Sequence, residues 1–388
     1  MLADRVDYII GVDTHRATHT AAVVTPTGAA LAHRTVPADA DGYLHVYRFA
    51  VEQAPGRRVW AIEGTGSYGA GLTTHLLEQG EWVVEVDRPA RPARRNGAKT
   101  DDLDAVRAAR EALGREHLAQ PRQRGDREAI RVLVTTRQSA MQARTCAINH
   151  LKALVVNAPE RLRQQLRALA TDQLLARCAR LRSHPTQPIE YRATIAALRR
   201  TAQRSLALAA EADDLHAELD TLIRQRALWL LAEPGIGVIC AAQLLNAWSH
   251  AGRLRSEAAF AMLGGAAPIE ASSGKVVRHR LNRSGDRQLN RALHTIVLSR
   301  MAYHAETRAY VARRIAEGKT AREIQRCLKR YLARRLFKLL EAPPAHAQRR
   351  RSRPLDSHRS FRARHTTAPR LMRTASSHVL SEFAHPTG

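Results

Sequence analysis

VDYIIGVD (residues 6–13) and VWAIE (residues 59–63) are the two stretches that decide how the front of this chain folds. Both are apolar, rich in β-branched side chains and short enough to be buried strands, and both stop at an acid, Asp13 and Glu63. The pattern around them is consistent. Residues 21–24 and 31–36 read as two more strands, joined by a hairpin turn at Thr25-Pro26-Thr27-Gly28. A Gly-rich bend (Gly64, Gly66, Gly69) leads from Glu63 into a helix over 72–77, and 82–86 is a further strand. Beyond a loop carrying Arg88, Arg91, Arg94 and Arg95, Thr100 is placed to cap a helix that starts at Asp101. The predicted order is three strands, strand, helix, strand, loop, helix.

Strand ends of an open sheet converge on a crevice, so Asp13 and Glu63 are placed to meet. Asp101 and Asp104 are three residues apart and share a helix face. Four carboxylates from two strand ends and one helical turn make an oxygen-rich set suited to Mg2+ or Mn2+. Two such ions roughly 3.5–4 Å apart clamp the attacking and leaving oxygens of a phosphodiester. Taken singly, each acid is an ordinary turn residue or helix-dipole partner. Only the set, in this strand order, points to metal-dependent phosphoryl chemistry. Asp102 falls on another helical face and reads as a solvated acid.

The chain has 388 residues, with 62 Lys+Arg against 36 Asp+Glu and a formal charge of +26. Residues 1–125 hold 16 basic and 16 acidic side chains, so the whole excess lies behind them. A neutral front and a basic back fit one part that carries acidic chemistry and another that holds a polyanion. Aromatic residues are 4% of the chain, which argues against base-stacking platforms. Four scattered cysteines with no CxxC pair argue against a zinc ribbon or a disulfide scaffold and fit a reducing cytoplasm. The first residues, MLADRVDYIIGVD, carry acids where a secretion signal needs basic and apolar runs. Glu233, Pro234 and two glycines break the most apolar stretch, so no membrane span or membrane partner is expected.

From Asp126 to about residue 225 the text is helical, interrupted at Pro159 and between Pro185 and Pro188. Ile195, Leu198, Ala202, Leu215, Leu219, Leu222 and Trp229 follow a three-four spacing, the seam of a coiled coil or a long hairpin. Assembly into an oligomer is the favoured use of that seam, packing within one chain the other. Glu233-Pro234-Gly235-Ile236-Gly237 then opens an Ala-rich helix, as in a helix-hairpin-helix element, where glycine lets backbone amides approach a phosphate. A tight interhelical turn without ligand explains the same residues equally well. Residues 264–294, GGAAPIEASSGKVVRHRLNRSGDRQLNRALH, set Ser272 and Ser273 among Lys275, Arg278, Arg280, Arg283, Arg287 and Arg291. A serine attacking phosphorus needs such cations, although the same loop can merely grip a nucleic-acid backbone.

GVDTH (11–15), IEGTGSYG (62–69) and KTDDLDA (99–105) resemble the DEDD-type, RuvC-like domain of the insertion-sequence one-ten family of transposases, described as bridge-RNA-guided recombinases. EPGIG, the ASSGK loop and LNRSGDRQLNRALH resemble that family's second, serine-bearing transposase domain. The resemblance spans roughly residues 6–340, with both signatures in the family's order. It implies an α/β RNase H-like (RuvC-like) domain over 1–125, a helical, coiled-coil dimerisation region over 126–228, and a mostly α transposase domain over 229–340. It implies Asp13, Glu63, Asp101 and Asp104 as Mg2+ ligands and Ser273, the serine before glycine, as nucleophile. Lys275, Arg278, Arg280, Arg283 and Arg287 are read as nucleic-acid contacts. The partners implied are donor and target DNA, a structured guide RNA, and further copies of the chain, dimers assembling into a tetramer with composite sites. The expected location is the bacterial cytoplasm, at the nucleoid.

Ser284 stands where the family resemblance leads one to expect a glycine or another residue before Gly285-Asp286. Residues 341–388 are rich in Arg, Pro, Ser and His without apolar period, and read as a disordered basic tail. That tail either holds nucleic acid nonspecifically or is translation run on past a damaged gene end. No Walker A motif is present, consistent with strand exchange that conserves bond energy in a covalent link. Two other readings remain open: a RuvC-like nuclease in which metal-activated water attacks, and a decayed transposase that only binds nucleic acid.

Overall fold

The computed structural model describes residues 2–86, 100–271, 279–280, 282 and 284–343. The arginine loop at 88–95 and most of the tail, residues 344–388, lie outside the described residues. Five strands form one sheet: β1 (Tyr8–Thr14), β2 (Thr18–Val24), β3 (Ala30–Pro37), β4 (Arg58–Glu63) and β5 (Trp82–Val86), in the order β3-β2-β1-β4-β5. β1 pairs antiparallel with β2, and β2 with β3, while β4 runs parallel to both β1 and β5. The Thr25–Gly28 turn is a hairpin as expected, with the Gly28 amide donating to the Thr25 carbonyl at 2.9 Å. This is the mixed sheet of an RNase H-like domain.

Alternation along the strands divides the core. Ile9, Ala22, Val59, Ala61 and Val84 face α3 (Asp101–Leu113), and Ile10, Val12, Val23, Trp60 and Ile62 face the opposite side. That second face is covered by α1 (Ala40–Gln53) and α2 (Ala70–Glu78). The reading of the sequence places no element between residues 36 and 59, so α1 is a correction. Asp39 caps it, accepting from the Gly42 amide at 2.9 Å, and it buries Val46, Phe49 and Ala50. Those three have helical spacing, but polar neighbours dilute the signal. Gly11 of β1 is where α3 touches the sheet: a Cβ built there would lie 2.0 Å from the Ala105 carbonyl oxygen and 2.6 Å from the Ala109 amide nitrogen. The facing stripe of α3 is alanine (Ala105, Ala108, Ala109, Ala112), so backbone rests nearly on backbone.

Two long helices follow, α4 (Asp126–Val156) and α7 (Ile189–Leu231), with α5 (Glu160–Leu166) and α6 (Thr171–Ala179) between them. The end of α4 (Leu151, Val155) shares a core with the start of α7 (Ile195, Leu198, Ala202) and with Leu162, Leu174 and Leu175. The start of α4 (Ile130, Val134) meets the end of α7 (Leu219, Ile223), so the pair is an antiparallel hairpin. The seam from which assembly is expected is therefore consumed within the chain. α7 is broken at Ala227 (φ −149°, ψ 41°), beside the expected boundary at 228, yet Leu219, Ile223, Trp229 and Leu230 belong to one cluster.

That cluster also holds α8 (Val238–Trp248), α9 (Glu257–Leu263), α10 (Arg287–Tyr303) and α12 (Ala321–Glu341), with α11 (Ala305–Ala316) beside α10. A small hairpin, β6 (Ile269–Glu270) and β7 (His279–Arg280), precedes α10. The turn between α7 and α8 does have helix-hairpin-helix character, but its glycine serves the interior. Gly235 (φ +78°) faces α10, and a Cβ there would meet the Ile296 carbonyl oxygen at 3.1 Å. Glu233 is held by Arg300 at 3.2 Å and Arg335 at 3.1 Å, and Arg300 Nε donates to the Pro234 carbonyl at 2.8 Å. Among the described residues no helix is long and apolar enough to cross a membrane.

Two measurements test this packing. Gly11→Ala should lower unfolding stability by on the order of 1–3 kcal/mol through overpacking. Gly66→Ala, with nothing within 4 Å of its Cβ, should stay within about 0.5 kcal/mol of wild type in the same urea titration. His19, fully buried and stacked on Tyr43 at 5.8 Å, is held below the ordinary histidine value of 6.5 by burial and, to a lesser degree, by His15. The unfolded chain thus takes up that proton more readily than the folded one. The stability involved is complete above about pH 6.5 and is lost as pH falls through the lower folded value. The melting temperature should accordingly fall more on acidification in wild type than in His19→Phe.

Candidate functional site

β1 and β4 are parallel neighbours with Val12 opposite Ile62, so Asp13 and Glu63 stand side by side where the strands end. By alternation Gly11 and Asp13, like Ala61 and Glu63, point to the α3 face of the sheet. Thr14 points the other way, and its hydroxyl donates to the Glu63 carbonyl at 2.9 Å, tying the two strand ends together. α3 starts at Thr100, whose side chain accepts from the Leu103 amide at 3.4 Å. Because α3 crosses β1 at Gly11 through Ala105 and Ala109, its first turn lies beside Asp13, two residues further along the strand.

The described group whose ligand atoms all fall within 4.8 Å of one another is Asp13, His15 and Asp101. Asp13 is 12% exposed at its side chain and His15 47%, and the His15 Nδ1 stands 3.6 Å from Asp13 Oδ2. Two of the four expected carboxylates are thus brought together, with an imidazole that the reading of the sequence did not single out. His15 continues the period-two row of Gly11 and Asp13, which is the signal that could have found it. Glu63 and Asp104 are not in this group. Asp104 is engaged by Arg107, with Nη1 donating to Oδ1 at 2.6 Å, and Asp102 faces His33 Nε2 at 3.6 Å.

Two carboxylates and one imidazole at this spacing fit a single hard or borderline divalent cation. Asp101, Asp102 and Asp104 all lie in the first turn of α3, at the positive end of its dipole, a placement that stabilises the helix start. The cluster opens to solvent at the mouth of the β1–β2 hairpin, where the His15 amide donates to the Thr18 carbonyl at 3.0 Å.

Ser272, Ser273, Lys275, Arg278 and Arg283 lie outside the described residues. Arg280 on β7 and Arg287 at the start of α10 are exposed. The polar residues around them do structural work that sequence alone does not disclose. Asn282 is buried, donates to the Met262 carbonyl at 3.0 Å and accepts from the Ser284 hydroxyl at 2.6 Å. Asp286 caps α10, accepting from the Gln288 and Leu289 amides at 2.8 and 3.0 Å. Asn290 donates to the Gly264 carbonyl at 2.7 Å and accepts from Lys329 at 2.8 Å. These bonds clamp the segment after β7 onto α9 and α12. The unexpected Ser284 is one member of the clamp.

Compared with known families, residues 10–158 match a model described as a transposase of the DEDD IS110 type. Residues 229–312 match the model described as "Transposase IS116/IS110/IS902 family". The two together span more than half of the chain, in the same order as the two structural halves. No curated protein gives a significant match.

The cluster makes a direct prediction for metal binding. Asp13→Asn and Asp101→Asn should each weaken Mn2+ binding, read by titration calorimetry, by at least about tenfold. Asp102→Asn, which removes a partner of His33 on another face of α3, should leave the affinity within about threefold of wild type.

Proposed function

Since the chain belongs to the IS110 family of transposases and is by that membership a DNA transposase, we propose that it cuts and rejoins donor and target DNA through a covalent bond between DNA phosphorus and Ser273. The observation that carries the reading is the pairing of two halves in one chain. One brings carboxylates and an imidazole together at a strand-end crevice, and the other carries, along its sequence, the ASSGK segment among basic residues. DEDD transposases use divalent metal, and Asp13, His15 and Asp101 are the residues that would hold it, with Glu63 and Asp104 as the family's remaining carboxylates. Mg2+ is the ion proposed, with Mn2+ as its substitute. When bound, the ion polarises the scissile phosphate and offsets charge on the leaving oxygen.

The chain's own groups do the rest. Ser273 Oγ attacks phosphorus and forms the Oγ–P bond while one DNA ester oxygen leaves; in net balance the serine's proton passes to that oxygen, which becomes a strand hydroxyl. Lys275, Arg278 and Arg283, with the exposed Arg280 and Arg287, supply the positive field that holds the phosphate in line. In rejoining, a strand hydroxyl attacks a second phosphoserine, breaks its Oγ–P bond and returns the serine. The number of phosphoester bonds is conserved, so no ATP is needed. A structured RNA as guide, and a tetramer in which the carboxylates of one copy meet the serine of another, complete the proposal. Support for the RNA is the charge of +26, all of it carried behind residue 125. With the apolar seam consumed within the chain, support for the tetramer is the resemblance to the family.

The test is a phosphoserine trap. Labelled donor and target DNA, Mg2+ and the element's flanking RNA are incubated with wild type, Ser273→Ala and Asp13→Ala, and label surviving on denatured protein is counted. We expect an adduct in wild type alone. Cleaved DNA without adduct in any of the three would replace the serine mechanism with metal-dependent hydrolysis.

A further inference from the structure

A cleft of about 420 Å3 opens where the chain leaves the N-terminal domain and α4 meets α8 and the first turn of α10. That is within the size range of pockets that take a discrete ligand, about 300–1,000 Å3. Arg122, Arg127 and Arg131 line it, together with amide side chains from three helices: Gln142 of α4, Gln243 of α8 and Gln288 of α10. None of these residues belongs to the carboxylate cluster or to the cations around Ser273.

The charges in this cleft are unbalanced. Glu128 receives Arg127 Nη1 at 3.0 Å and both Nε and Nη2 of Arg131, at 2.9 and 2.6 Å. Asp286, the carboxylate lining the cleft, uses Oδ1 to cap α10. Arg122 makes no ion pair among the described residues. Arg127 is 9% exposed at its side chain, and its proton affinity is brought down to about 10, first by burial and then by Arg122, with Arg131 and Arg253 adding to it. Arg253, outside the cleft's lining, is 8% exposed at its side chain and reaches Glu85 at 3.9 Å.

The donors are unmatched as well. The Nε groups of Arg122, Arg127 and Arg253 and the Oδ1 of Asn246 are buried without a hydrogen-bond partner among the described residues. Like charges crowded at a cleft, with guanidinium Nε donors buried without acceptors, cost the folded chain stability that an oxyanion in the cleft would offset. Arginine's planar fork suits phosphate in particular. Amide side chains beside it offer donors and acceptors to sugar and base edges. The placement is also informative. Arg122 lies in the connection that follows the carboxylate domain, and Gln288 begins the helix that follows the serine segment.

We propose that this cleft is a binding site for the phosphodiester backbone of a nucleic-acid strand, with Arg122, Arg127 and Arg131 as the phosphate grip. It anchors the strand at the junction of the two catalytic halves. The inference takes from the proposed function only that the polyanion is nucleic acid, DNA or RNA.

The test reads binding by fluorescence anisotropy in EDTA, so strand cleavage plays no part. Wild type, Arg122→Gln, Arg122→Lys and Ser273→Ala are titrated with a labelled DNA duplex and with an RNA hairpin over a range of salt. In at least one arm, Arg122→Gln should weaken binding several-fold. It should also reduce the slope of log affinity against log salt by about 0.9 for duplex DNA, or about 0.7 for a single strand. The arm that responds identifies the strand held. Arg122→Lys should keep most of the slope, and Ser273→Ala all of it. Arg122 is only partly buried, so its replacement should leave the circular dichroism and melting curve intact. Affinity and slope unchanged in both arms for folded Arg122→Gln would overturn the proposal. That result would not touch the serine mechanism, whose adduct is scored separately. Conversely, a chain that forms no adduct still shows the cleft's salt signature.

Discussion

The contact between α3 and β1 at Gly11 is the constraint on which the N-terminal half depends. With no side chain at Gly11 and alanines on the facing stripe, the helix lies against the strand at a distance that no larger residue permits. That distance fixes two things together. It closes the α3 side of the sheet over Ile9, Val59 and Ala61, and it sets the first turn of α3 beside the end of β1. The charged ends of both elements then meet, and Asp13, His15 and Asp101 form a cluster. An acid-rich helix start would repel an acidic strand end unless something held them together. The apolar contact a few residues away supplies that hold, and a cation suits the gap it creates.

The C-terminal half solves a different problem, the anchoring of a short, polar, cation-rich segment to an all-helical body. It does so with side-chain-to-backbone bonds rather than with apolar area. Asn282 reaches the end of α9, Asp286 satisfies the first amides of α10, and Asn290 bridges Gly264 and Lys329. The turn into α8 is held by ion pairs from Arg300 and Arg335 to Glu233, and by the Arg300 bond to the Pro234 carbonyl. Residues that look like chemistry when read in line thus divide into two sets. The amides and acids build the frame, and the cations on β7 and at the start of α10 stay exposed on it.

The helical hairpin connects these halves without being independent of either. Its far end has its own apolar cluster, while its root is built into the C-terminal core through Ile130, Val134, Leu219 and Ile223. The segment entering the hairpin also touches both sides: the Glu85 amide donates to the Ala119 carbonyl at 2.7 Å, and the Gln123 amide donates to Ser249 at 2.9 Å. Arg253 approaches Glu85 from the C-terminal unit. The arginine-lined cleft lies at this junction, where burial and like charge are both concentrated.

Strand positions, the Thr25–Gly28 hairpin, the capped start of α3 and the long helices were legible in the sequence. Each rests on local rules: a period of two or three-four, a turn residue, a cap. Asp13 and Asp101 were legible for the same reason, as acids at element ends. Other features needed the third dimension. α1 escaped because its apolar residues are few, and they count as a core only against Trp60 and Ile62. His15 escaped because its place in the row of Gly11 and Asp13 gains a meaning only once α3 stands opposite it. The three-four seam of α7 was visible, but not whether its partner lay in the same chain. A periodic apolar face states only that something must cover it, and here α4, α5 and α6 do. The amino-acid sequence by itself determined which segments are strands and helices and which ends carry charge, because those are nearest-neighbour properties of the backbone. Which charged ends meet was decided by the tertiary structure alone, because that depends on how closely two backbones can approach, and at Gly11 the answer is set by one missing methyl group.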